Sequence, residues 1–244
     1  MPNITKALLQ ILTEFDTPLI ANTIGVIDST PAHEWYMGSS IQSVTPGLGP
    51  TVGIAFTCEL DSSSPGGTAE MDDYWHLMEE IELEQRPIVW VVKTIGSRPD
   101  HECVLGDGMA KGLRAAGCIG VVTNGGVRDI PGLLTVPFAA YAKGKTIHHG
   151  NLRFRGARQP VEVGGITVYH GDVIHADGGG VIKIPPSCLQ RLPGQAVRMQ
   201  TFEREAHSLL RRTDLRAAQK RDGVRDLLTK YAFSPGLPAQ GNGA

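Results

Sequence analysis

The stretch GDGMAKGLRAAGCIGVVTNGGVRD, residues 106–129, carries most of the information about the fold. Apolar side chains recur at helical spacing over 107–116 and predict a helix, and Gly117 follows where a C-terminal cap is expected. The next six residues, CIGVVT, are mostly apolar, which predicts a buried strand. A helix that returns through a tight turn into a buried strand is typical of an α/β domain.

The segments on both sides of this stretch continue the alternation of helices and strands. We expect a single layered α-β-β-α domain over residues 1–190 and a helical extension over 191–232. A tail rich in Pro, Gly and Ala, residues 233–244, is expected to be disordered. The other predicted elements are an N-terminal helix closed by Pro18, an alternating strand within 40–60, a helix over 70–84, the strand IVWVV at 88–92, the strand VPFAAYA at 136–142, β-hairpins over 160–184 and a long charged helix from 189 to 231.

The composition limits the class of protein. The chain has 244 residues, of which 41% are hydrophobic and 20% are charged, so it is long enough to bury a sizeable core. Its net charge of −2 argues against a general nucleic-acid binder, and no run approaches the roughly 18 apolar residues of a membrane span. The four cysteines are far apart, which favours buried thiols over a zinc or disulfide framework. Because the N-terminus also lacks a signal-peptide cleavage site, we expect a cytoplasmic protein.

Some large or titratable side chains are interpreted as structural. Trp75 and Trp90 fall in apolar patterns and are expected in the core. His175 and Asp177 lie in the hairpin region and are expected to serve turns.

Two further groups lie between the strand at 136–142 and the hairpins. Neighbouring residues of a strand point to opposite faces, so His148 and His149 are not expected to bind one metal together, although one of them could line a pocket. Arg153, Arg155 and Arg158 are expected on a solvated face; the alternative, a subunit contact or a substrate carboxylate, is one that only a family resemblance of this chain implies.

A candidate site lies at the two ends of the opening stretch. Free N–H groups at a helix start can hold a carboxylate or phosphate, and Gly106 to Met109 opens the predicted helix. Arg128 and Asp129 follow the next strand, where a guanidinium can bind an anion and a carboxylate can bind a metal. One helix-and-strand return would bring Asp107 beside Asp129.

Each of these features also has a structural explanation. An Asp before a helix is often only an N-cap, which would account for Asp107. An Arg-Asp pair in a loop is more often a solvated ion pair than a site, which would account for Arg128 and Asp129.

Three longer stretches of the chain resemble the RraA-like family. They are FDTPLIANTIG, GDGMAKGLRAAGCIGVVTNGGVRDIPGLLTVPFAAYAKG and GGITVYHGDVIHADGGGVIKIP. The family contains the class II 4-hydroxy-4-methyl-2-oxoglutarate/4-carboxy-4-hydroxy-2-oxoadipate aldolases and the regulator of ribonuclease E activity A. In its aldolase members Arg is followed at once by Asp, as in this sequence. The expected arrangement of helices around a barrel-like sheet is similar to the phosphohistidine swivelling domain.

The resemblance implies a role for each residue of the candidate site. Asp129 would bind Mg²⁺ or Mn²⁺ directly, and Asp107 would hold a metal-bound water. Arg128 would bind the pyruvyl oxygens of a 2-oxo acid and stabilise the enolate, while the backbone N–H groups of Gly106, Asp107, Gly108 and Met109 would hold the carboxylate. A glutamate from the C-terminal region of a neighbouring subunit would complete the site, which implies a homotrimer or a dimer of trimers. Glu203 and Glu205 are the candidates.

The chain departs from the aldolase pattern around this centre. Gly132 stands where the aldolases usually carry an acid, and Asn124 stands where the strand usually ends in Asp. Lys93 replaces an acid after IVWVV, and the loop over 94–105 is longer and more charged. These changes bear on the part of the substrate beyond the pyruvyl unit.

Two classes of function follow from the resemblance. The first is a divalent-metal-dependent lyase that cleaves a 4-hydroxy-2-oxo acid through a pyruvate enolate, with oxaloacetate decarboxylation as a related reaction. The second is a non-enzymatic regulator of the ribonuclease E type. A sugar-acid lyase or isomerase on the same scaffold is a third possibility.

Overall fold

The computed structural model describes residues 3–233, so the tail predicted over 233–244 lies outside the described residues apart from Phe233. These residues form seven α-helices, twelve β-strands and two short 3-10 turns. The helices are α1 (Lys6–Leu12), α2 (Thr17–Ile27), α3 (Asp72–Leu83), α4 (Asp107–Ala116), α5 (Ile130–Thr135), α6 (Leu192–Leu210) and α7 (Ala217–Tyr231). The strands are β1 (Gln42–Ser43), β2 (Thr51–Asp61), β3 (Ile88–Thr94), β4 (Cys118–Thr123), β5 (Gly126–Val127), β6 (Ala139–Ala142), β7 (Gly144–Lys145), β8 (Arg153–Arg155), β9 (Val161–Val163), β10 (Ile166–Val168), β11 (Val173–Asp177) and β12 (Gly180–Ile184).

Eight of the strands form one mixed sheet. Its order is β1-β6-β4-β3-β2-β11-β12, and β8 also pairs with β2. The four central strands β6, β4, β3 and β2 run parallel, and the outer strands are antiparallel to their neighbours. The prediction of alternating burial in β2 is wrong, because this central strand is covered on both faces and is buried along nearly its whole length.

The two faces of the sheet pack against different layers. One face packs against the helices, in a core that runs from Leu9 in α1 to Phe233 after α7. The other face packs against the β9–β10 hairpin through side chains such as Val89, Val122 and Ile166. The ends of the sheet, β1 and β12, come into contact, so the sheet is nearly closed. The expected α/β class is confirmed, whereas the phosphohistidine-domain arrangement and the boundaries at 190 and 232 stay predictions.

Pro18 begins a helix and does not close one. The first helix ends at Leu12, and α2 starts at Thr17 with Asp16 as its N-cap. The Asp16 carboxylate accepts a hydrogen bond from the Leu19 N–H at 2.8 Å. Proline is favoured in a first helical turn because its missing N–H would have no partner there.

His175 connects the sheet to this N-terminal turn. The side chain is fully buried in β11, with Nε2 3.1 Å from the Leu12 carbonyl oxygen and Nδ1 2.9 Å from the Thr17 hydroxyl. A carbonyl can only accept, so Nε2 carries the proton and Nδ1 accepts from Thr17. Its predicted role in a turn is therefore wrong. Asp177 does serve its turn, accepting from the Gly179 N–H at 2.7 Å, and it also accepts from the Thr17 N–H.

We expect His175 to make stability depend on pH. Burial lowers the pKa of His175, and the carboxylates of Asp177 and Asp16 only partly offset this effect. The unfolded chain then takes up a proton at a higher pH than the folded chain. Stability is therefore complete above the ordinary pKa of 6.5 and is lost as pH falls below it, by up to about 1.4 kcal/mol per pH unit.

Urea unfolding of the wild type and of His175→Gln between pH 8 and pH 5 tests this expectation. The wild type should lose more stability on acidification than the variant. His170, whose pKa burial also lowers, is present in both proteins and cancels in the comparison. Equal slopes in the two proteins would remove His175 as the source.

Trp75 and the C-terminal region differ from expectation. Trp90 is buried, but Trp75 is 55% exposed, because α3 buries the stripe of Tyr74, Leu77, Met78 and Ile81 beside it. The single long helix predicted from 189 to 231 is instead the antiparallel pair α6 and α7.

A glycine lets the two C-terminal helices approach closely. A Cβ on Gly223 would lie 2.7 Å from Leu209 Cδ2. In α6, Leu192, Ala196 and Met199 are buried, and the helix packs on α2, whereas α7 is half-buried or exposed throughout. Among residues 3–233 no helix is both long and apolar enough to cross a membrane.

Candidate functional site

Backbone hydrogen bonds bring the start of α4 beside the end of β5. The Val104 N–H donates to the Gly126 carbonyl at 2.8 Å, and the Arg128 N–H donates to the Leu105 carbonyl at 3.1 Å. This short parallel ladder places Gly106 against the Arg128 and Asp129 side chains. A Cβ on Gly106 would lie 2.5 Å from Asp129 Oδ2 and 2.8 Å from Arg128 Nε, so only glycine fits without displacing them.

Arg128 and Asp129 form an exposed ion pair at the site. Arg128 Nε lies 3.3 Å from Asp129 Oδ2, and the two side chains are 32% and 46% exposed. The structural explanation proposed for this pair is therefore present, and it does not exclude a site. Asp129 adopts φ 56° and ψ 40°, a left-handed conformation that is uncommon outside glycine and recurs at functional sites.

Asp107 is the first residue of α4, and Gly106 occupies the N-cap position that was considered for Asp107. The Lys111 ammonium lies 2.6 Å from Asp107 Oδ2, one helical turn away. This hydrogen bond, together with the charge of Arg128, holds the pKa of the Asp107 carboxyl below its ordinary value. The site thus keeps an ionised carboxylate next to two cations.

Gly132 stands where packing against Asp107 excludes a side chain. A Cβ at this position would lie 2.4 Å from Asp107 Cβ and 2.8 Å from its Oδ2. The first turn of α5 therefore packs against Asp107 in a way that leaves no space for a side chain.

A cavity of about 330 Å³ opens at the start of α4. Gly106 to Met109, Arg128, His148 and His149 are among the residues that line it. A second cavity of about 660 Å³ lies beside it and is lined by Asp129 and by Arg128. Asp107 therefore faces the first cavity, Asp129 faces the second, and Arg128 borders both.

The histidine pair lies in a loop and not on a strand. Residues 146–152 have no regular secondary structure, so the rule that strand neighbours face opposite ways does not apply. Both His148 and His149 line the first cavity. A Cβ on Gly150 would lie 2.6 Å from His148 Cε1, so this glycine allows the loop to fold close to the imidazole.

Asn124 and the loop over 94–105, which the sequence marked as unusual, contribute to the structure around the site. Asn124 Oδ1 accepts a hydrogen bond from the Thr94 N–H at 2.8 Å and so joins the ends of β4 and β3. In the loop, Cys103 also lines the first cavity. Burial raises the pKa of its thiol to about 11, which keeps it protonated and unreactive at neutral pH.

Glu102 is the buried anchor of this loop, a role that the sequence did not predict. Its side chain is fully buried and accepts hydrogen bonds from the backbone N–H groups of Ser62, Ser63 and Gly96, the last two at 3.0 and 3.2 Å. The Glu102 carbonyl accepts from the Gly126 N–H at 2.9 Å. The sequence feature that could have indicated its burial is the position of a charged residue directly before three apolar ones, Cys-Val-Leu.

Replacing Glu102 by alanine should destabilise the protein strongly. The variant would leave three buried N–H groups without partners, each costing about 1–3 kcal/mol. We expect a loss of about 3–5 kcal/mol in the free energy of unfolding, measured with urea. Glu79→Ala, at an exposed position of α3, is the matched control and should change stability by less than about 0.5 kcal/mol. A Glu102→Ala variant as stable as this control would contradict the anchoring role.

The three arginines after the histidine loop have different environments. Arg153 is buried, and its guanidinium lies 2.9 Å from Asp61 Oδ1, so the prediction of a solvated face is wrong for this residue. Burial opposes ionisation of Asp61, but hydrogen bonds from Ser64 and Arg153 hold its pKa below the ordinary value. Arg155 and Arg158 form exposed ion pairs on the surface, as expected, with Glu70 and Glu80.

The two C-terminal glutamates lie on α6, and both are hydrogen-bonded within the chain. Glu203 Oε1 accepts from the Asn22 amide at 2.8 Å. Glu205 is held more firmly, by the Lys230 ammonium at 2.7 Å and the Tyr231 hydroxyl at 2.9 Å.

The donor set of one chain suits a hydrated magnesium or manganese ion. Within residues 3–233 no group of three or more His, Cys, Asp or Glu side chains is placed to hold one ion. The two carboxylates at the site, Asp107 and Asp129, are partly exposed, at 37% and 46%. Mg²⁺ is commonly held by one or two carboxylates while it keeps several waters, so the residues present fit such an ion.

One curated relative is similar to part of this chain. DlpA of Legionella pneumophila is 25% identical over 167 residues, which are 67% of this chain but only 26% of that protein. The chain thus spans about a quarter of the length of this curated relative.

Two solved structures share the fold. An uncharacterized protein from Pseudomonas syringae is 22% identical with a TM-score of 0.66, covering 91% of this chain and 100% of its own. Streptomyces coelicolor RraAS2, described as an unusual member of the RNase ES inhibitor RraA protein family, is 20% identical with a TM-score of 0.68, covering 84% of this chain and 99% of its own. Residues 23–183 match the RraA-like family, described as Aldolase/RraA. The chain therefore belongs to the RraA-like family.

Proposed function

We propose that the protein is a divalent-metal-dependent lyase that cleaves a 4-hydroxy-2-oxo acid through a pyruvate enolate. The observation that carries this proposal is the packing of the Arg128 and Asp129 side chains against Gly106, directly before Asp107 at the start of α4 and next to the cavity of about 330 Å³. A guanidinium and two carboxylates at a helix N-terminus match the charges of a 2-oxo acid and its metal.

Each residue has a role that follows from its position. The backbone N–H groups at the start of α4 bind the C1 carboxylate, helped by the helix dipole. Arg128, which borders both cavities, donates hydrogen bonds to the C2 oxygen and stabilises its negative charge as the C3–C4 bond breaks. The Lys111 ammonium holds Asp107 ionised, so that its carboxylate can accept a proton from a water molecule.

Mg²⁺ or Mn²⁺ would be held by Asp129, with Asp107 acting through a water. When bound, the ion would supply Lewis-acid polarisation of the 2-oxo group. No lysine is needed for a Schiff base in this chemistry.

The proposal is tested by a screen of 4-hydroxy-2-oxo acids and oxaloacetate with coupled detection of pyruvate. Pyruvate should be released when Mg²⁺ or Mn²⁺ is present and not in EDTA. Pyruvate release that is the same with and without metal, or no pyruvate from any compound, would contradict the proposal.

A non-enzymatic regulator is the second candidate. One observation favours it, namely that Asp107 and Asp129 are already paired with cations of their own chain, at 2.6 and 3.3 Å. The two candidates differ in metal binding, because a metal that binds only the folded state must raise thermal stability. Thermal unfolding unchanged by 10 mM Mg²⁺ or Mn²⁺ would favour the regulator.

We further propose that a second subunit completes the site, in a homotrimer or a dimer of trimers. Glu203 is the better candidate for the donated carboxylate, because it has one hydrogen-bond partner where Glu205 is held by Lys230 and Tyr231. A sedimentation mass of a single 26.2 kDa chain at micromolar concentration would rule this assembly out.

A further inference from the structure

Part of the wall of the first cavity is apolar, and none of the residues that form this apolar surface has a role in the proposed reaction, apart from the backbone of Met109. Met71, Met109 and Leu152 line the cavity, and all three also pack against the main hydrophobic core. They are half-buried, so the cavity exposes apolar surface beside the residues that would bind the pyruvyl unit. A ligand group that covers this surface gains about 25 cal/mol for each Å² of apolar area removed from water.

The charges of the cavity fit one carboxylate and not two. Among the described residues that line it, Arg128 is the single Lys or Arg side chain, and it also contacts Asp129. Lys111 is paired with Asp107, and the nearby Arg153 is closed off by Asp61 and by the Ser64 and Gly66 carbonyls. The pyruvyl unit of a 2-oxo acid already uses both groups, the helix N-terminus for the C1 carboxylate and Arg128 for the C2 oxygen.

A second carboxylate in this cavity would be unfavourable. It would lose water against the thioether of Met71 and the methyl groups of Leu152, and no second Lys or Arg side chain among the described residues lines the cavity to pair with it. Burial of a charge without a partner is costly. The imidazoles of His148 and His149, which also line the cavity, offer it hydrogen bonds.

We propose that the substrate carries an apolar group on C4, so that cleavage releases pyruvate and an apolar aldehyde. This inference rests on the proposed lyase function and names its substrate class. The C4 hydroxyl gives up its proton, the C4–O bond becomes a carbonyl, and the C3–C4 bonding electrons pass to the enolate. Protonation of the enolate at C3 then yields pyruvate, so the reaction needs no oxidant or reductant.

The size of the cavity limits this group. A volume of about 330 Å³ is at the lower end of ligand pockets, and the pyruvyl unit occupies part of it. The C4 group is therefore a short alkyl or a single ring.

The test compares two substrates that share C1 to C4. In 4-hydroxy-2-oxohexanoate the C4 substituent is ethyl, and in 4-hydroxy-2-oxoglutarate it is a carboxylate. With Mg²⁺ at pH 8, kcat/KM should favour the ethyl compound by about 100-fold. Equal values, or a preference for the carboxylate, would overturn the inference.

A charge placed on the apolar wall should change this preference. Met71→Lys is expected to reduce the ethyl preference at least tenfold by giving a carboxylate a partner. Met71 is the N-cap of α3. Leu83→Lys, which adds the same charge at the 81% exposed last residue of α3, is the matched control and should keep the wild-type preference. A preference unaffected by Met71→Lys would overturn the assignment of this wall.

Exchange of the pyruvate C3 hydrogens with D2O separates this inference from the function on which it rests. The exchange needs only enolate formation and no C4 group, and it is followed by NMR with Mg²⁺ present. Exchange together with a preference for the carboxylate substrate overturns the substrate class alone. The absence of exchange overturns the lyase proposal, and the substrate class with it.

Discussion

Turnover by Asp129→Asn is expected to fall by about a thousandfold, together with a strong loss of affinity for Mg²⁺ or Mn²⁺. Asparagine keeps the shape of the side chain but removes the charge and one hard oxygen donor. Metal polarisation of the 2-oxo group is worth several kcal/mol, and about 4 kcal/mol corresponds to a thousandfold change in rate. Calorimetric titration of the metal and a pyruvate-coupled assay measure the two effects.

Folding of this variant should be preserved. Asp129 adopts φ 56°, and Asn tolerates this left-handed conformation at least as well as Asp. Its exposed pair with Arg128 is of a kind that contributes only about 0–1 kcal/mol to stability. Asp214→Asn, which removes another exposed aspartate paired with an arginine, is the matched control and should bind metal as the wild type does. Wild-type metal affinity in Asp129→Asn would remove the metal-site assignment and most of the lyase proposal.

Local patterns predicted the elements whose ends depend only on nearby residues. The helix α4 spans Asp107–Ala116 as expected, and Gly117 ends it with φ 117°, a conformation that glycine adopts without strain. The strand β3 includes the predicted run 88–92. In both cases helical spacing or a continuous apolar run is sufficient, because the neighbours along the chain determine the outcome.

Elements that depend on distant partners were predicted less well. Pro18 can end one helix or begin another, and the choice depends on the Asp16 cap and on the contacts of Thr17 with β11. Trp75 has the residue type of a core position, but α3 buries the face that carries Tyr74 instead. The break between α6 and α7 is supported by the fit of Gly223 against Leu209, which no local pattern shows.

In the candidate site too, features set by nearby residues were predicted better than features that depend on distant partners. One helix-and-strand return predicted Asp107 beside Asp129. In the structure Arg128 and Asp129 pack against Gly106, directly before Asp107, but Asp107 and Asp129 face different cavities. The buried role of Glu102 and the placement of the histidine loop depend on hydrogen bonds between residues 39 to 84 positions apart, so the sequence alone did not predict them.

Arg128→Lys should separate substrate binding from metal binding. Lysine keeps the positive charge but loses the planar fork that matches a carboxylate or an enolate. We expect turnover to fall about 100- to 1,000-fold, the loss typical of removing one oriented donor to a developing oxyanion. Metal affinity should stay within about threefold of the wild type, because the carboxylates of Asp129 and Asp107 are unchanged. The backbone bond from residue 128 to the Leu105 carbonyl, which holds the start of α4 in place, is also retained.

Asp129→Asn and Arg128→Lys together distinguish a functional site from a surface ion pair. If Arg128 and Asp129 only pair with each other, Arg128→Lys preserves that pairing and leaves turnover and metal binding unchanged. Arg155→Lys, at an exposed arginine paired with Glu70, provides the control for a general effect of the replacement. Because the lyase proposal requires the guanidinium itself, wild-type turnover in Arg128→Lys would exclude its role at the C2 oxygen, even where Asp129→Asn abolishes metal binding.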